Sequence, residues 1–297
     1  AVVAAGEVER SVVRTWLMRA TVHLVPAADV RWLTALLGPM VERRFATGRW
    51  RQLGIDSELI ERAIPLTCEV LAGRQLTRHQ LAAELAERGI RLADDPSAPT
   101  HLLMALSCRG VTCRVGERGR DSTFALLEDS VPNSTAPPDP MAELARRYFA
   151  AFSPATAADF RTWSGLPSGA AITAIRDELT EVAFDGRRGW RLGTVEPEPG
   201  MRLLPMFDNY LIGYSDRAAM FDPARYREVF IGGVIKASVV CDGRVIGIWR
   251  WEKSARSATV RVTPFERFTS RHRAELERER ADLERFLART VGVIVDS

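Results

Sequence analysis

The feature that most constrains this chain is a pattern of two short helices followed by an arginine-rich β-hairpin, which occurs twice. In the first copy, residues 76–81 and 100–109 show helical spacing, and strands follow at 111–115 and 122–127. In the second copy, 154–156 leads through 167–179 to strands at 181–184 and 189–192. This order is typical of the winged-helix plan, whose second helix can lie in a DNA major groove beside the hairpin. The repeat predicts a scaffold that handles DNA.

Length and composition are those of an ordinary globular protein. A chain of 297 residues is too long for one small core, so we expect two or three packed units. No apolar run approaches the roughly 20 residues that cross a bilayer. The first six residues lack the basic start of a signal peptide. The sequence predicts a cytoplasmic protein without a membrane partner.

The positive charge of the chain is carried almost entirely by arginine. Basic and acidic residues number 41 and 38, giving a net charge of +3, and only Lys236 and Lys253 are lysines. Guanidinium groups bind phosphate oxygens bidentately, which would suit a nucleic acid. A GC-rich genome that encodes arginine wherever a cation is tolerated explains the same bias, and the near balance of charges favours that explanation. Charge alone therefore does not establish nucleic-acid binding.

Cysteines and histidines show no metal-ligand spacing. The four cysteines are Cys68, Cys108, Cys113 and Cys241, and the four histidines are His23, His79, His101 and His272. Cys108 and Cys113 are close in sequence, but no second pair completes a zinc set. We expect buried free thiols, no metal and no cofactor.

The first 130 residues divide into two predicted segments. Segment 1–56 contains a strand pair or one bent strand at 12–26 and a helix over 28–40, which Pro39 limits or kinks. Segment 57–130 begins with a helix that Ser57 caps and Gly73 ends, and Thr77 caps the next helix. Residues 130–140, rich in proline, form the clearest linker. We expect segment 57–130 to be a winged helix and segment 1–56 to be the remainder of another.

Two further segments complete the chain. Segment 131–200 is predicted to be a winged helix, with a helix over 141–152, a turn at 164–165 and an Asp185-Gly186 hairpin turn. Segment 201–297 contains strands at 234–240, 244–251 and 258–262, with a first turn at 242–243. Ser270 is predicted to cap a helix that runs to about Arg289 and covers these strands. The fold class predicted is α+β: tandem winged helices plus a C-terminal antiparallel β-meander packed with a helix.

Two polar stretches and the hairpin tips supply the candidate site residues. Arg14, Arg19, Thr21 and His23 could face a cleft and contact phosphates, or the two arginines could pair with neighbouring carboxylates. Asp208 and Asn209 could bond a base edge or polarise a water, but a capping role or a pair with Arg217 is the stronger interpretation of Asp208. The hairpin tips carry the remaining candidates for contact with DNA, which are Arg118, Arg120, Arg187 and Arg188.

Motifs for catalysis are scarce in the printed sequence. It has no phosphate-binding loop with lysine, no Gly-x-Ser-x-Gly elbow and no His-Glu-x-x-His helix. Paired carboxylates such as Asp94 with Asp95, or Asp208 with Asp216, are weak signals for acid–base chemistry. The residues by themselves identify no catalytic group.

Three stretches resemble a known family. Residues 14–33 (RTWLMRATVHLVPAADVRWL), 76–90 (LTRHQLAAELAERGI) and 203–217 (LLPMFDNYLIGYSDR) resemble the winged-helix proteins that include the AlkZ/YcaQ-type DNA glycosylases. The resemblance implies a bacterial repair protein, with tandem winged helices curling around duplex DNA. It also implies hydrolysis of the N-glycosidic bond of alkylated or crosslinked purines without a metal. Arg14, Arg19, Thr21, His23, Asp208 and Asn209 match the family's motifs.

The catalytic signature of those glycosylases is a Gln-hydrophobic-Gln or Gln-hydrophobic-acid triplet upstream of the Arg-Thr-Trp segment. Here the glutamines are Gln52, Gln75 and Gln80, and the sequence starts only a few residues before Arg14. Either the chain is a truncated piece or it has lost the chemistry. A second departure is Ala20, where relatives commonly have glycine, so a tight turn there is expected to relax.

Three functions follow as hypotheses. The leading one is a monomeric duplex-DNA-binding protein on a glycosylase scaffold, which excises damaged bases if an upstream Gln-x-Gln segment exists. The second is a winged-helix transcriptional regulator without enzymatic activity, dimerising through the C-terminal helix. The third is a protein-interaction module.

Overall fold

The computed structural model describes residues 6, 9–131, 133–184, 186–194, 198–253 and 258–296, without the side chain of Lys253. The chain forms two compact units. Unit 1 consists of Ala1–Arg146 and Ser164–Ile175, and unit 2 of Arg147–Trp163 and Arg176–Ser297. The predicted four-segment division at residues 56, 130 and 200 stays a prediction. The predicted turn residue Asp185 lies outside the described residues.

The first 146 residues contain helices and strands in mixed order. The strands are β1 (Val12–Trp16), β2 (Val22–Pro26), β3 (Leu76–Thr77), β4 (Thr112–Arg118) and β5 (Asp121–Leu126). The helices are α1 (Ala27–Ala46), α2 (Arg49–Gln52), α3 (Ser57–Leu71), α4 (Arg78–Glu87), α5 (Ala98–Cys108), α6 (Leu127–Ser130) and α7 (Pro140–Phe152), the last of which runs into unit 2.

One sheet unites the strands of unit 1 in the order β2-β1-β4-β5-β3. The β1–β2 pair forms the predicted strand pair, and Arg14 of β1 lies opposite Arg114 of β4. Strand β4 then pairs with β5 as the predicted hairpin. The N-terminal strands therefore extend the sheet of the first hairpin, which brings residues 100 positions apart in sequence to adjacent strands.

The core of unit 1 is built around α5. Residues 102–108 of this helix are all buried, among side chains such as Trp50, Leu81 and Leu85. The crossing of α1 is close, because a Cβ on Gly38 would lie 2.0 Å from the Cys108 carbonyl oxygen. Helix α5 is the second helix of the first copy, yet over 102–108 it has no exposed face that could enter a groove. The exposed helix here is α4, through Arg78, His79 and Gln80.

Helices α8 (Ala157–Ser164) and α9 (Ser168–Ala174) and hairpin strands β6 (Leu179–Phe184) and β7 (Arg187–Leu192) form the second copy. The predicted turn at 164–165 is present, with Gly165 at φ 79°. The boundary between the compact units passes through this copy, because α9 belongs to unit 1 and the hairpin to unit 2. The winged-helix assignment of both copies stays a prediction.

Unit 2 is organised by a five-stranded sheet, in the order β14-β13-β12-β11-β8. Its strands are β8 (Met201–Leu204), β11 (Ser238–Cys241), β12 (Arg244–Lys253), β13 (Ala258–Pro264) and β14 (Val291–Val295), and β9 (Phe230–Ile231) pairs separately with β10 (Val234–Ile235). The helices that follow β8 are α10 (Asn209–Ile212), α11 (Tyr226–Val229) and α12 (Ser270–Leu287).

The fold class is α+β, as predicted, and the meander β11-β12-β13 is present. Leu276 of α12 packs with Val239, Val260 and Val262 of the sheet, so the helix covers the strands as expected. A second apolar cluster includes Leu211, Phe221, Val240 and Val245. Strand β14 was not predicted, and it pairs parallel to β13 at the sheet edge.

Several predicted boundaries are wrong. Helix α1 passes through Pro39 and ends at Ala46, since one lost N–H does not outweigh its packing. The caps of α3 and α12 are Asp56 and Thr269, each one residue before the serine predicted. Residues 234–240 are not one strand, because β10 ends at Ile235 and β11 starts at Ser238.

Candidate nucleic-acid interface

A cleft on unit 1 gathers four arginines. Its volume is about 180 Å³, and its lining includes Arg14, Arg78, Arg114 and Arg120, with Asp121 as the carboxylate among the lining residues. The hydroxyl-bearing side chains of Thr15, Thr100 and Ser122 also line it. The cleft lining thus holds more cations than carboxylates, with hydroxyl groups among them, on a chain of nearly balanced charge.

The sheet explains why these arginines converge. Arg14 and Arg114 occupy facing positions of β1 and β4, and Arg120 lies in the turn that joins β4 to β5. Beneath them Trp16 and Phe124 stack with ring centroids 5.9 Å apart and planes within 9°. Both rings line the cleft and also pack against the hydrophobic core of unit 1, so the wall of the cleft is continuous with that core.

Arg114 has unused hydrogen-bonding capacity. One of its terminal nitrogens, Nη2, donates to Glu117 Oε1 at 2.6 Å. Its Nε is buried and has no hydrogen-bond partner among the described residues. A buried unsatisfied donor costs free energy, about 1–3 kcal/mol. The Nε is shielded from solvent, so a phosphate in the cleft would meet the terminal nitrogens of Arg114, whose side chain is 26% exposed.

The start of α5 supplies the other side of the cleft. Arg78 Nη1 donates to Thr100 Oγ1 at 3.5 Å, and its Nε donates to His79 Nε2 at 3.1 Å. Thr100 stands in the first turn of α5, where helix N–H groups carry a partial positive charge. Neither of these partners is a carboxylate, so the positive charge of Arg78 is not neutralised by them and remains available to an anion. Sequence reasoning missed Arg78, Arg114 and Thr100 as site residues, and the available signal was the arginine content of the first hairpin and of the helix that begins at Arg78.

The predicted residues 19–23 form a turn beside the cleft strand. Arg19 and Ala20 have φ 55° and 64°, so the expected relaxation at Ala20 is wrong and the turn stays tight. Thr21 Oγ1 donates to the Met18 carbonyl at 3.1 Å, and His23 Nδ1 lies 2.9 Å from the Thr21 carbonyl. Burial lowers the pKa of His23, aided by the charge of Arg19 and opposed by the Thr21 hydrogen bond. The imidazole is therefore held neutral at physiological pH, and it adds no fixed charge.

The tip of the first hairpin separates its two predicted arginines. Arg118 donates from Nη1 to Gln80 Oε1 at 2.9 Å and from Nη2 to the Gln75 carbonyl at 3.1 Å. Gln80 also completes the capping box of α4 with Thr77, the predicted cap. Arg118 thus ties the hairpin to α4, whereas Arg120 is exposed and lines the cleft.

The second hairpin tip lies in unit 2. Arg187 forms an ion pair with Asp216 at 3.2 Å and stands 5.1 Å from the Phe184 ring centroid. Arg188 is 89% exposed, and its distance to the Glu181 carboxylate is 3.8 Å. Arg188 is therefore accessible to solvent, whereas Arg187 makes contacts within unit 2.

Asp208 and Asn209 have structural roles. Asp208 caps α10, where its Oδ1 accepts a hydrogen bond from the Tyr210 N–H at 2.8 Å. The Asn209 carbonyl accepts from the Gly213 N–H at 2.7 Å. The capping role is the one that the sequence favoured for Asp208. The contacts of both residues stabilise the ends of α10, which supports a structural role over polarising a water.

A buried carboxylate that the sequence did not single out organises unit 2. Asp159 is fully buried and accepts hydrogen bonds from both the N–H and the hydroxyl of Thr156 and of Ser215, at 2.6–2.8 Å. Burial alone would raise the pKa of Asp159, but these hydrogen bonds from Ser215 and Thr156 lower it. The carboxylate is therefore a charged structural anchor.

The cysteines are free, as expected. Cys108, Cys113 and Cys241 are buried, whereas Cys68 is only half-buried. Burial raises the pKa of Cys113 and of Cys241 to about 11 and that of Cys108 to about 12. These three thiols are protonated near neutral pH and therefore weak nucleophiles.

None of the helices in the described part of the chain combines the length with the apolar character that a bilayer span requires. The described residues form an α+β protein with an arginine-lined cleft.

Comparison with known proteins assigns the family. Residues 1–286 match the model of the AlkZ-like DNA glycosylase family, so the chain belongs to this family. It is 28% identical over 272 residues to an interstrand DNA cross-link repair glycosylase of Streptomyces sahachiroi, covering 80% of this chain and 70% of that protein. The solved structure of the Streptomyces sahachiroi DNA glycosylase AlkZ is similar with a TM-score of 0.78 and 26% identity, covering 99% of this chain and 84% of that one. These matches confirm the predicted resemblance and favour a glycosylase scaffold over a transcriptional regulator.

Proposed function

We propose that the arginine cleft of unit 1 binds the phosphate backbone of duplex DNA, and that the chain is the DNA-binding scaffold of a glycosylase for alkylated or crosslinked bases. The observation that carries the proposal is the convergence of Arg14, Arg78, Arg114 and Arg120 on one cleft, whose lining includes Asp121, while Glu117 pairs with Arg114. Membership of a DNA glycosylase family supplies the polyanion that such a surface fits.

The cleft residues have distinct parts in this binding. Arg114 offers its partly exposed terminal nitrogens and Arg120 its exposed guanidinium to phosphate oxygens. Arg78 and the first turn of α5 add a cation beside a helix N-terminus, where an anion is stabilised. These contacts position the duplex without reading its sequence, since phosphate contacts carry no base information. The structure thus favours a DNA-positioning surface that is indifferent to sequence.

Base excision is the reaction we propose for the whole protein. Water attacks the anomeric carbon of the damaged nucleotide and gives up a proton to solvent, while the N-glycosidic bond breaks and the base leaves with the bond's electron pair. Positive charge on an alkylated purine makes the base a better leaving group. The family resemblance implies that a Gln-hydrophobic-Gln segment directs the water, and the printed sequence contains no such triplet, so the excision step requires that one be encoded upstream of Ala1.

Salt dependence of duplex binding tests the cleft. Each phosphate contact contributes about −0.9 to the slope of log affinity against log salt, so Arg78→Gln and Arg114→Gln should each make the slope less negative by about that amount. Arg88→Gln is the matched control, because Arg88 is a helix-end arginine of unit 1 that is bonded to Glu84. Fluorescence anisotropy with a labelled duplex measures the slopes. Equal slopes for the Arg88 and Arg114 variants would refute the cleft as the binding surface.

An abasic-site assay tests the reaction separately. If the gene encodes a Gln-x-Gln segment upstream of Ala1, the gene product that includes it should release alkylated bases from duplex DNA, and alkaline cleavage reveals the abasic sites. The same protein with its upstream glutamines changed to alanine should bind DNA but release no base. Failure of the unmodified gene product to release any alkylated base would contradict the enzymatic part while leaving DNA binding intact.

A further inference from the structure

The sheet of unit 2 has a notch where two strands stop short of their neighbour. Strand β8 ends at Leu204 and β11 begins at Ser238, whereas β12 continues to Lys253. The Trp249 N–H donates to the Ala237 carbonyl at 3.0 Å, just before β11 begins. Main-chain groups alternate in direction along a strand, so the N–H and C=O of Trp251 point to the same side, beyond Ala237. Among the described residues no strand pairs with this part of the β12 edge, which borders the notch.

A cavity of about 610 Å³ occupies the notch. Its lining combines apolar, aromatic and cationic side chains, including Pro205, Met206, Ile248, Trp249, Trp251, Lys236, Arg250 and Arg261. This volume falls in the range of about 300–1,000 Å³ that is typical of small-ligand sites. The notch can therefore enclose a group of the size of a nucleotide.

The two tryptophans form an ordered aromatic wall. Trp249 Nε1 donates to the Leu204 carbonyl at 2.8 Å, which fixes this ring across the end of β11. Trp251 packs edge-to-face against it, with ring centroids 5.4 Å apart and planes at 81°. Both rings are only half-buried, so aromatic surface stays accessible to a planar ligand.

The rim of the notch is cationic. Arg261 is held by Glu252 and Asp296, at 2.5 and 2.7 Å. Arg250 is 65% exposed and only 3.3 Å from Glu252, a pair that solvent screens. Lys236 has no ion-pair partner among the described residues. Lys236 and Arg250 thus favour an anionic group at the mouth of the cavity.

We propose that this notch binds one unpaired nucleotide of a DNA strand, with its base against Trp249 and Trp251 and its phosphate on Lys236 and Arg250. A base stacks on an aromatic face, and its Watson–Crick edge presents donors and acceptors that match the N–H and C=O of Trp251. An acidic peptide could pair with the strand edge, but it has no planar group that uses the aromatic wall. The inference rests on the proposed function only in that the chain meets DNA, since the notch shares no residue with the cleft of unit 1.

Binding of a short fluorescein-labelled oligothymidylate to the full chain tests the proposal by anisotropy. Trp251→Leu keeps apolar volume but removes the aromatic face, so the affinity should fall about five- to 150-fold. Trp251→Phe keeps an aromatic face and should lose only a few-fold. Lys236→Gln should make the salt slope for this single strand less negative by about 0.7. Arg244→Gln, at the other end of β12, is the matched charge control and should leave the slope unchanged.

The outcomes separate the notch from the cleft. We expect the Trp251→Leu variant to bind duplex DNA as tightly as the unmodified chain does. In the Arg78→Gln and Arg114→Gln variants, a further Trp251→Leu change should still weaken oligothymidylate binding. Circular dichroism at the assay temperature verifies that each variant is folded. Oligothymidylate binding that is equal for Trp251→Leu and the unmodified chain overturns the notch proposal, even where the cleft variants behave as proposed. Trp251-dependent binding of an acidic peptide, with none of the oligonucleotide, overturns it as well.

Discussion

Residues 12–26 of unit 1 and 203–217 of unit 2 are both dense in polar groups amid apolar sequence, but they use those groups differently. In the first stretch, strand β1 brings Arg14 to a cleft with three other arginines. In the second, Asp208 caps a helix and Ser215 bonds the buried Asp159. A polar residue in an apolar stretch can therefore line a surface cleft or form hydrogen bonds inside the protein. Which of the two it does depends on the residues that distant segments place beside it.

The largest change in stability should follow from replacing the buried carboxylate Asp159. Asp159→Asn places an amide N–H₂ against the donors of Thr156 and Ser215, and we expect a loss of about 3 kcal/mol in the free energy of unfolding. Urea denaturation measures it. The folded fraction should bind duplex DNA as the unmodified chain does, because Asp159 is in unit 2 and the cleft is in unit 1. A loss below about 0.5 kcal/mol would show that the four hydrogen bonds do not anchor the unit.

The same carboxylate predicts a pH dependence. Its pKa is lower in the folded chain than the ordinary value of 3.8. Its contribution to stability is therefore complete above the unfolded-state pKa, and it is lost as pH falls through the folded-state pKa. The difference in unfolding free energy between the unmodified chain and Asp159→Asn should shrink on going from neutral pH to about pH 3. A difference independent of pH would contradict the charged state of Asp159.

A second anchor gives a smaller loss. Tyr148 is buried, and its hydroxyl donates to the Gly213 carbonyl at 2.8 Å, within the same polar stretch of unit 2. Tyr148→Phe keeps the ring packing and leaves that carbonyl unpaired, so urea denaturation should show a loss of about 1–2 kcal/mol. Tyr226→Phe is the control, since Tyr226 is exposed and should change by less than about 0.5 kcal/mol. Equal losses in the two variants would contradict the anchoring role.

Two arginines of one hairpin sharpen the comparison within unit 1. Arg120→Gln removes a cleft cation, so duplex affinity should fall several-fold without a change in stability. Arg118→Gln removes the tie to Gln80 and Gln75, so stability should fall by about 0.5 kcal/mol with a smaller change in affinity. Anisotropy and urea denaturation on both variants measure the two effects. The reverse pattern would show that Arg118 is the DNA contact and Arg120 the structural one.

Local signals made the secondary structure predictable to a large extent. The Thr77 capping box, the turn at Gly165 and the meander turn at 242–243 all follow from residue chemistry at adjacent positions. Errors arose where several residues in a row can serve as caps, as at Asp56 and Ser57, or where packing carries a helix past Pro39. Strand β14 was missed because its neighbour β13 lies some 30 residues earlier in the chain, so its pairing leaves no local pattern.

The candidate site was predictable only in part. Arg14 and Arg120 were singled out from sequence, whereas Arg78 and Arg114 were not, because the pairing of β1 with β4 that gathers them is long-range. The interior position of α5 could have been inferred from its unbroken apolar run at 102–106, which leaves no polar face for a groove. The sequence pattern predicts where helices and strands occur. Which face of a helix or strand is buried depends on the segments that pack against it in the folded chain.

The smallest effect tests the turn that precedes His23. Ala20 has φ 64°, a left-handed conformation that costs an L-residue about 1–2 kcal/mol, while glycine adopts it freely. Ala20→Gly relieves this cost but raises the entropy of the unfolded chain, so we expect a net gain of about 0.5 kcal/mol by urea denaturation. Ala288→Gly should gain similarly in unit 2, because Ala288 ends α12 at φ 50°. Ala35→Gly, an exposed position inside α1, should lose about 0.5–1 kcal/mol. A loss of stability at Ala20, alongside a gain at Ala288, would show that the turn before His23 is not left-handed, and that the first polar stretch reaches the cleft by another backbone path.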